Sequence, residues 1–189
     1  MNKQEKLDII NRCIAEKTMF SCCFTYDKSS CYYYYPNAVS DRLVLAQQED
    51  DFILNGYTVR KLYHLSKVEV VDNKCTDINK KYGLTEQVIA PDVDVTSWKT
   101  VFEDLEELEC LIIIEDEINN EYYIGRIEKI FRNEILFRAF DADGIIDSEP
   151  TLIPYSAITS VSWNTRYANG WEKYLVDTAL EASAKAVDR

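Results

Sequence analysis

A chain of 189 residues is long enough to bury a core in one domain or in two small ones, and 5 glycines and 4 prolines are too few for a disordered or low-complexity segment. The formal net charge of -12 works against a polyphosphate partner, whose recognition relies on clustered Lys and Arg. The longest unbroken apolar run, Cys110 to Ile114, is far short of the roughly 20 residues of a spanning helix, and Met1 to Lys6 leads straight into an amphipathic pattern without the apolar core of a signal peptide. No membrane partner and a cytoplasmic location are the expectation.

In residues 3–17, Leu7, Ile10, Cys13 and Ile14 recur at three- and four-residue spacing, which predicts a surface helix with one apolar stripe. Thr18 to Tyr26 turns β-like, Asp27 to Ser30 supplies turn residues, and Cys31 to Tyr35 reads as a Tyr-rich second strand broken by Asn37 to Asp41. Leu43 to Ala46, Val59 to Leu62 and Leu65 to Val71 complete five strands. Asn73 to Tyr82 reads as a helix ended by Gly83. Residues 85–96, with Pro91 and alternating Asp and Val, read as a linker between a first domain (residues 1–84) and a second (residues 97–189).

The same order then recurs. Trp98, Val101, Phe102, Leu105 and Leu108 predict a second amphipathic helix with Thr96 or Ser97 as its N-cap. Five strands follow at Cys110 to Glu117, Glu121 to Phe131, Glu134 to Phe140, Thr151 to Pro154 and Ile158 to Trp163. His64-Leu-Ser-Lys-Val-Glu-Val70 aligns without gaps on Ala157-Ile-Thr-Ser-Val-Ser-Trp163, so the chain reads as one architecture written twice. Trp171 to Leu175 and Val176, Ala179 and Leu180 add a C-terminal helix. The fold class is mainly β with flanking helices, in two small barrels of one helix and five bent antiparallel strands each.

Three stretches of the second half carry a resemblance. Tyr123-Ile-Gly-Arg-Ile, Phe140-Asp-Ala-Asp-Gly and Ile153-Pro-Tyr-Ser-Ala-Ile-Thr-Ser-Val, in a helix-plus-five-strand frame with a one-turn link before the fifth strand, resemble tandem Sm-like proteins of Gram-positive bacteria, of the SH3-type small barrels. The resemblance covers residues 97–175 well and residues 3–84 less well. It implies edge pairing between the fourth strand of one barrel and the fifth of the next, which two barrels in one chain could make with each other, and for many members it implies RNA binding. In place of the family's usual Arg-Gly motif before the fifth strand, the second half has Pro154-Tyr155-Ser156, while Lys61-Leu62-Tyr63-His64 in the first half resembles in composition a Tyr-Lys-His segment that contacts RNA.

The chemistry-bearing residues do not assemble into a catalytic set. His64 is the only histidine and no spacing places a cysteine beside it. The six cysteines lack a Cys-x-x-Cys pair and read as buried thiols, so no structural zinc is expected. Asp141, Asp143, Asp147 and Glu149 surround Gly144 but lack the spacing of a calcium loop and read as a hairpin turn. Glu103 to Glu121 holds nine acids and no Lys or Arg, a face that repels nucleic acid.

The expectation is therefore a non-enzymatic binding or scaffolding module without a cofactor. Its partner would be a protein, or a second copy met at a barrel edge, with Tyr32 and Tyr34 as candidate contacts, since strand alternation sends alternate Tyr residues to opposite faces. The alternative is an RNA-binding regulator that uses Arg60, Lys61, Tyr63 and His64, disfavoured by the net charge.

Overall fold

In the computed structural model, which describes residues 1–187, the apolar stripe of residues 3–17 becomes α1 (Lys3–Glu16). Asn2 and Glu5 cap its start reciprocally and Lys17, at φ 48, ends it. Ile10 and Cys13 are fully buried against Phe20, Phe24, Tyr34, Leu65 and Val68, so the stripe seats the helix on the sheet.

The strands of the first half are β1 (Phe20–Phe24), β2 (Tyr32–Val39), β3 (Leu43–Asp50), β4 (Ile53–Lys61) and β5 (Leu65–Val70). After α2 (Lys74–Lys81) and α3 (Trp98–Glu107) come β6 (Ile112–Asp116), β7 (Glu121–Ile130), β8 (Glu134–Ala139), β9 (Thr151–Pro154) and β10 (Ser160–Trp163), then α4 (Arg166–Val187). All ten strands form one antiparallel sheet in the order β5-β1-β2-β3-β4-β10-β6-β7-β8-β9. Within each half the order is the same: fifth, first, second, third, fourth.

Among the described residues the fold is mainly β with four helices, as expected, but the sheet is continuous and not a closed barrel. The reason lies at the middle. β4 finds its second partner in β10 of the other half, with Arg60 opposite Ser160, Val59 opposite Val161 and Tyr57 opposite Trp163. The backbone groups of that edge are satisfied across the halves.

Bends come from register shifts in β1 between Ser21 and Cys23, in β2 between Pro36 and Ala38, in β3 between Gln47 and Glu49, and in β7 between Ile127 and Lys129. The shift in β2 accommodates Pro36, so that strand runs on to Val39 through residues expected to break it. Residues 85–96 contribute to the core, since Val93 and Val95 are buried beside Trp98 and Val101. α4 begins at Arg166, earlier than its apolar residues indicate, where Thr165 Oγ1 accepts the Ala168 N–H.

The largest core is shared. Leu43, Leu45 and Val59 of the first half pack with Val101, Phe102, Ile114, Phe137, Ile158, Val161 and Trp163 of the second. Val44 and Ala46, on the opposite face of β3, enter the separate core under α1, so β3 is buried on both sides at its start. No helix among the described residues is long and apolar enough to cross a membrane.

Gly125 shows how tightly the second half is drawn together. A Cβ there would lie 2.0 Å from the Arg138 carbonyl oxygen on β8, whereas a Cβ at Gly170 in α4 would meet nothing within 4 Å. Gly125→Ala is expected to lower stability by about 1–3 kcal/mol through overpacking, and Gly170→Ala to raise it by roughly 0.5–1 kcal/mol through helix propensity. Urea denaturation of the two variants checks both signs.

Candidate binding crevice at the junction

The link between β4 and β5 builds one wall of the junction. Lys61 ends β4, and Leu62–His64 form a single 3-10 turn in which Leu62 and His64 are buried while Tyr63 is 64% exposed. The corresponding link in the second half is Pro154-Tyr155-Ser156-Ala157. The two links touch: the buried Lys61 ammonium donates to the Ser156 carbonyl at 2.7 Å. Burial pulls the Lys61 pKa below its usual value.

Alternation along β4 sends Arg60 the other way. Its guanidinium is buried, stands 4.4 Å from the Phe24 ring centroid and donates to Glu117 Oε2 at 2.8 Å. Tyr26 donates its hydroxyl to the same carboxylate oxygen. Burial disfavours charge on Arg60, but Tyr34, Glu117 and Tyr26 more than offset it and hold its pKa above the usual arginine value. His64 Nδ1 meets Thr25 Oγ1 at 3.3 Å, and burial followed by the nearby Lys61 charge lowers its pKa.

The expected patch of Arg60, Lys61, Tyr63 and His64 is therefore one segment with divided tasks. Only Tyr63 is presented to solvent. Arg60 and His64 knit the halves and the β1–β2 hairpin together, and Lys61 bridges the two links.

Tyr32 and Tyr34 are likewise not an outward pair. Tyr34 is buried beside Phe20 under Arg60, and Tyr32 is half-buried with its hydroxyl on Asp27 Oδ2 at 3.1 Å. Tyr35 is buried too, against Met19, Val71 and Leu84. Strand alternation leaves a face free only where that face is uncovered, and β2 is covered on both sides, which leaves Tyr33 as the exposed ring at 38%.

Between the two links lies a crevice of about 790 Å³. It is lined by Arg42 from the β2–β3 turn, Lys61 and Tyr63, Trp98 and Lys99 from the start of α3, Arg132 from the β7–β8 turn, and Tyr155. Four cations thus share it with a single carboxylate, Asp41, which is paired to Lys3 at 2.9 Å. Lys99 pairs with Glu103, while Arg42 and Arg132 are exposed and have no side-chain acid partner among the described residues. The Trp98 indole Nε1, in a side chain only 7% exposed, has no acceptor among the described residues. The Arg42, Lys61, Lys99 and Arg132 head groups and the Trp98 indole on this crevice are donors only.

Arg42, Trp98, Lys99, Arg132 and Tyr155 are absent from the sequence-predicted set. One signal for them exists, because both second hairpins of the repeat carry an Arg at the turn, Asp41-Arg42 and Arg132-Asn133. Among the described residues no group of three His, Cys, Asp or Glu is placed to share a metal ion.

Two outcomes follow from these environments. Glu117→Ala leaves Arg60 charged and unpaired, at an expected loss of about 3–5 kcal/mol, and replacing both (Arg60→Met with Glu117→Leu) recovers most of it; additive losses in a chemical-denaturation cycle would show that the pair is not coupled. His64 is neutral when folded at a pH where the unfolded chain still binds a proton near its ordinary pKa of about 6.5. Stability is thus fully present above that pKa and falls as pH drops from about 7 towards the folded pKa, a slope that His64→Gln is expected to flatten in thermal melts. Comparison of the chain with protein-family models, with curated proteins and with solved structures finds no match.

Proposed function

We propose that this chain is a non-enzymatic binding module of two Sm-like halves, joined fourth strand to fifth strand at β4 and β10, and that its crevice holds single-stranded RNA. The observation that carries the ligand is the crevice lining: four cations, the exposed Tyr63 ring and the half-buried Tyr155 ring in a chain whose net charge is -12. Cations that track a backbone and aromatic faces that stack on bases are the two components of single-strand recognition, with stacking worth roughly 1–3 kcal/mol per base.

The net charge argues for a protein ligand, and the local cation excess of the crevice argues against it. Charges farther apart than about 8–10 Å are largely screened at physiological ionic strength. A phosphate in the crevice therefore responds first to Arg42, Lys61, Lys99 and Arg132, and of the acidic run at 103–121 Glu103 is already engaged by Lys99. The repeated strand order and the β4–β10 pairing support the Sm-like reading.

A second reading rests on the sheet's outer edges. Among the described residues β5 pairs only with β1, and β9 only with β8, with Leu152 half exposed on β9. A protein partner, or the β5 edge of a second copy, has unpaired backbone to meet there.

One titration separates the two. A fluorescent short single-stranded RNA is expected to bind with log K falling by about 0.7 per log unit of salt for each phosphate contacted, and Arg42→Ala with Arg132→Ala to reduce that slope by roughly 1.4. No binding at low salt, or a slope untouched by the double substitution, overturns the RNA reading. Light scattering on the same samples carries the second reading if assembly persists without RNA.

A further inference from the structure

Two of the six cysteines are placed for chemistry that the crevice does not use. β1 and β2 pair with Cys22 opposite Tyr32, and Cys31 immediately precedes β2, so a continuation of the register beyond the last paired residues brings Cys31 to face Cys23. Directly opposed residues of an antiparallel pair have Cα atoms about 4.5–5.5 Å apart. A disulfide accepts about 4.4–6.8 Å. The two thiols already meet at 3.5 Å.

Their exposures are complementary. Cys23 is 3% exposed, while Cys31 is open to solvent and lines an acidic crevice of about 340 Å³ with Glu49, Asp50 and Asp51. Those carboxylates repel an anionic oxidant such as oxidised glutathione and leave a neutral hydroperoxide free to approach. Cys13 and Cys22, by contrast, are closed off, and burial pushes their thiols up to about 11 and about 12.

We propose that Cys23 and Cys31 are a reversible dithiol–disulfide pair that reacts with a neutral hydroperoxide. The Cys31 thiolate attacks a peroxide oxygen, an S–O bond forms as the O–O bond breaks, and water leaves after proton transfer. The Cys23 sulfur then attacks the Cys31 sulfenic acid, an S–S bond forms as the S–O bond breaks, and a second water leaves. The two thiols lose two electrons and two protons, and hydrogen peroxide is reduced to two waters.

The bond would close the base of the hairpin that joins β1 to β2. That hairpin carries Tyr26, which donates to Glu117 of the second half, and Thr25, whose N–H donates to the His64 carbonyl at 2.8 Å. Oxidation therefore fastens the segment that ties the first half to the junction.

The full chain is treated with hydrogen peroxide, alkylated and mapped by mass spectrometry. The expected product has lost the mass of two hydrogen atoms, yields a Cys23–Cys31 linked peptide, reverts with dithiothreitol and melts about 5 °C higher. Cys31→Ser is expected to abolish it and Cys75→Ser to keep it. A link from Cys31 to Cys22, to Cys75 or to a second chain overturns the assignment, as does oxidation of Cys31 beyond the sulfenic stage with Cys23 left as a thiol. A Cys23–Cys31 link without a rise in melting temperature overturns its role in fastening the hairpin.

Discussion

The pairing of β4 with β10 is the constraint on which the rest of the molecule depends. Without it each half would present a strand edge of unpaired backbone groups and half of an exposed core. With it, Val59 and Val161 lie opposite each other, both fully buried, and Tyr57 stacks on Trp163 at 5.4 Å between centroids. Gly56 permits the approach. It sits at φ +69, and a Cβ there would lie 2.5 Å from the Trp163 carbonyl oxygen, so neither the backbone conformation nor the space suits another residue.

The seam also sorts the charges. Adjacent residues of β4 point to opposite faces, so Arg60 reaches Glu117 and the aromatic floor of Phe24 and Tyr34, while Lys61 reaches the crevice. A buried guanidinium requires a carboxylate partner, because removing one member of such a pair leaves the other uncompensated. The acidic run at 103–121 is thus not only a solvated face. Glu117 is drawn to Arg60, the Glu115 carboxylate accepts from Ser160, and the half-turn after β6 is held by Asp116, which accepts from Asn119. Glu117 and Arg60 cancel each other's charge at the seam, while Glu115 and Asp116, bonded to neutral groups, keep theirs.

Much of the fold was legible because its signals are local. Helical spacing marks α1 and α3, β-branched and aromatic runs mark the strands, and the gapless match of residues 64–70 with 157–163 marks the repeat: Val68 on β5 and Val161 on β10 are both buried, as are Leu65 at the start of β5 and Ile158 two residues before β10. The pairing between halves was not legible as a certainty, since a free edge and a paired edge have the same composition. Tyr34 shows the same limit for a single side chain. Its alternation was readable, but the cover of both faces of β2 by α1 on one side and by Met19, Val71 and Leu84 on the other is tertiary. The crevice residues escaped for a related reason: Arg42, Trp98 and Arg132 are far apart in the chain, and each alone is an ordinary turn or helix residue.

Duplication within one chain allows what two identical copies cannot easily make. At the repeat offset Lys61 corresponds to Pro154 and His64 to Ala157, so the two links that face each other are unlike. Two buried lysines in equivalent places would add a second desolvation cost and a like-charge repulsion. Here a single ammonium meets a carbonyl oxygen of the opposite link instead, and its remaining hydrogen-bonding capacity is left for the crevice. The Arg at each second-hairpin turn is retained in both halves, where exposure makes the like charges tolerable. The junction is therefore cationic at its rim from both halves and donor-lined at its floor from Trp98 and Lys61.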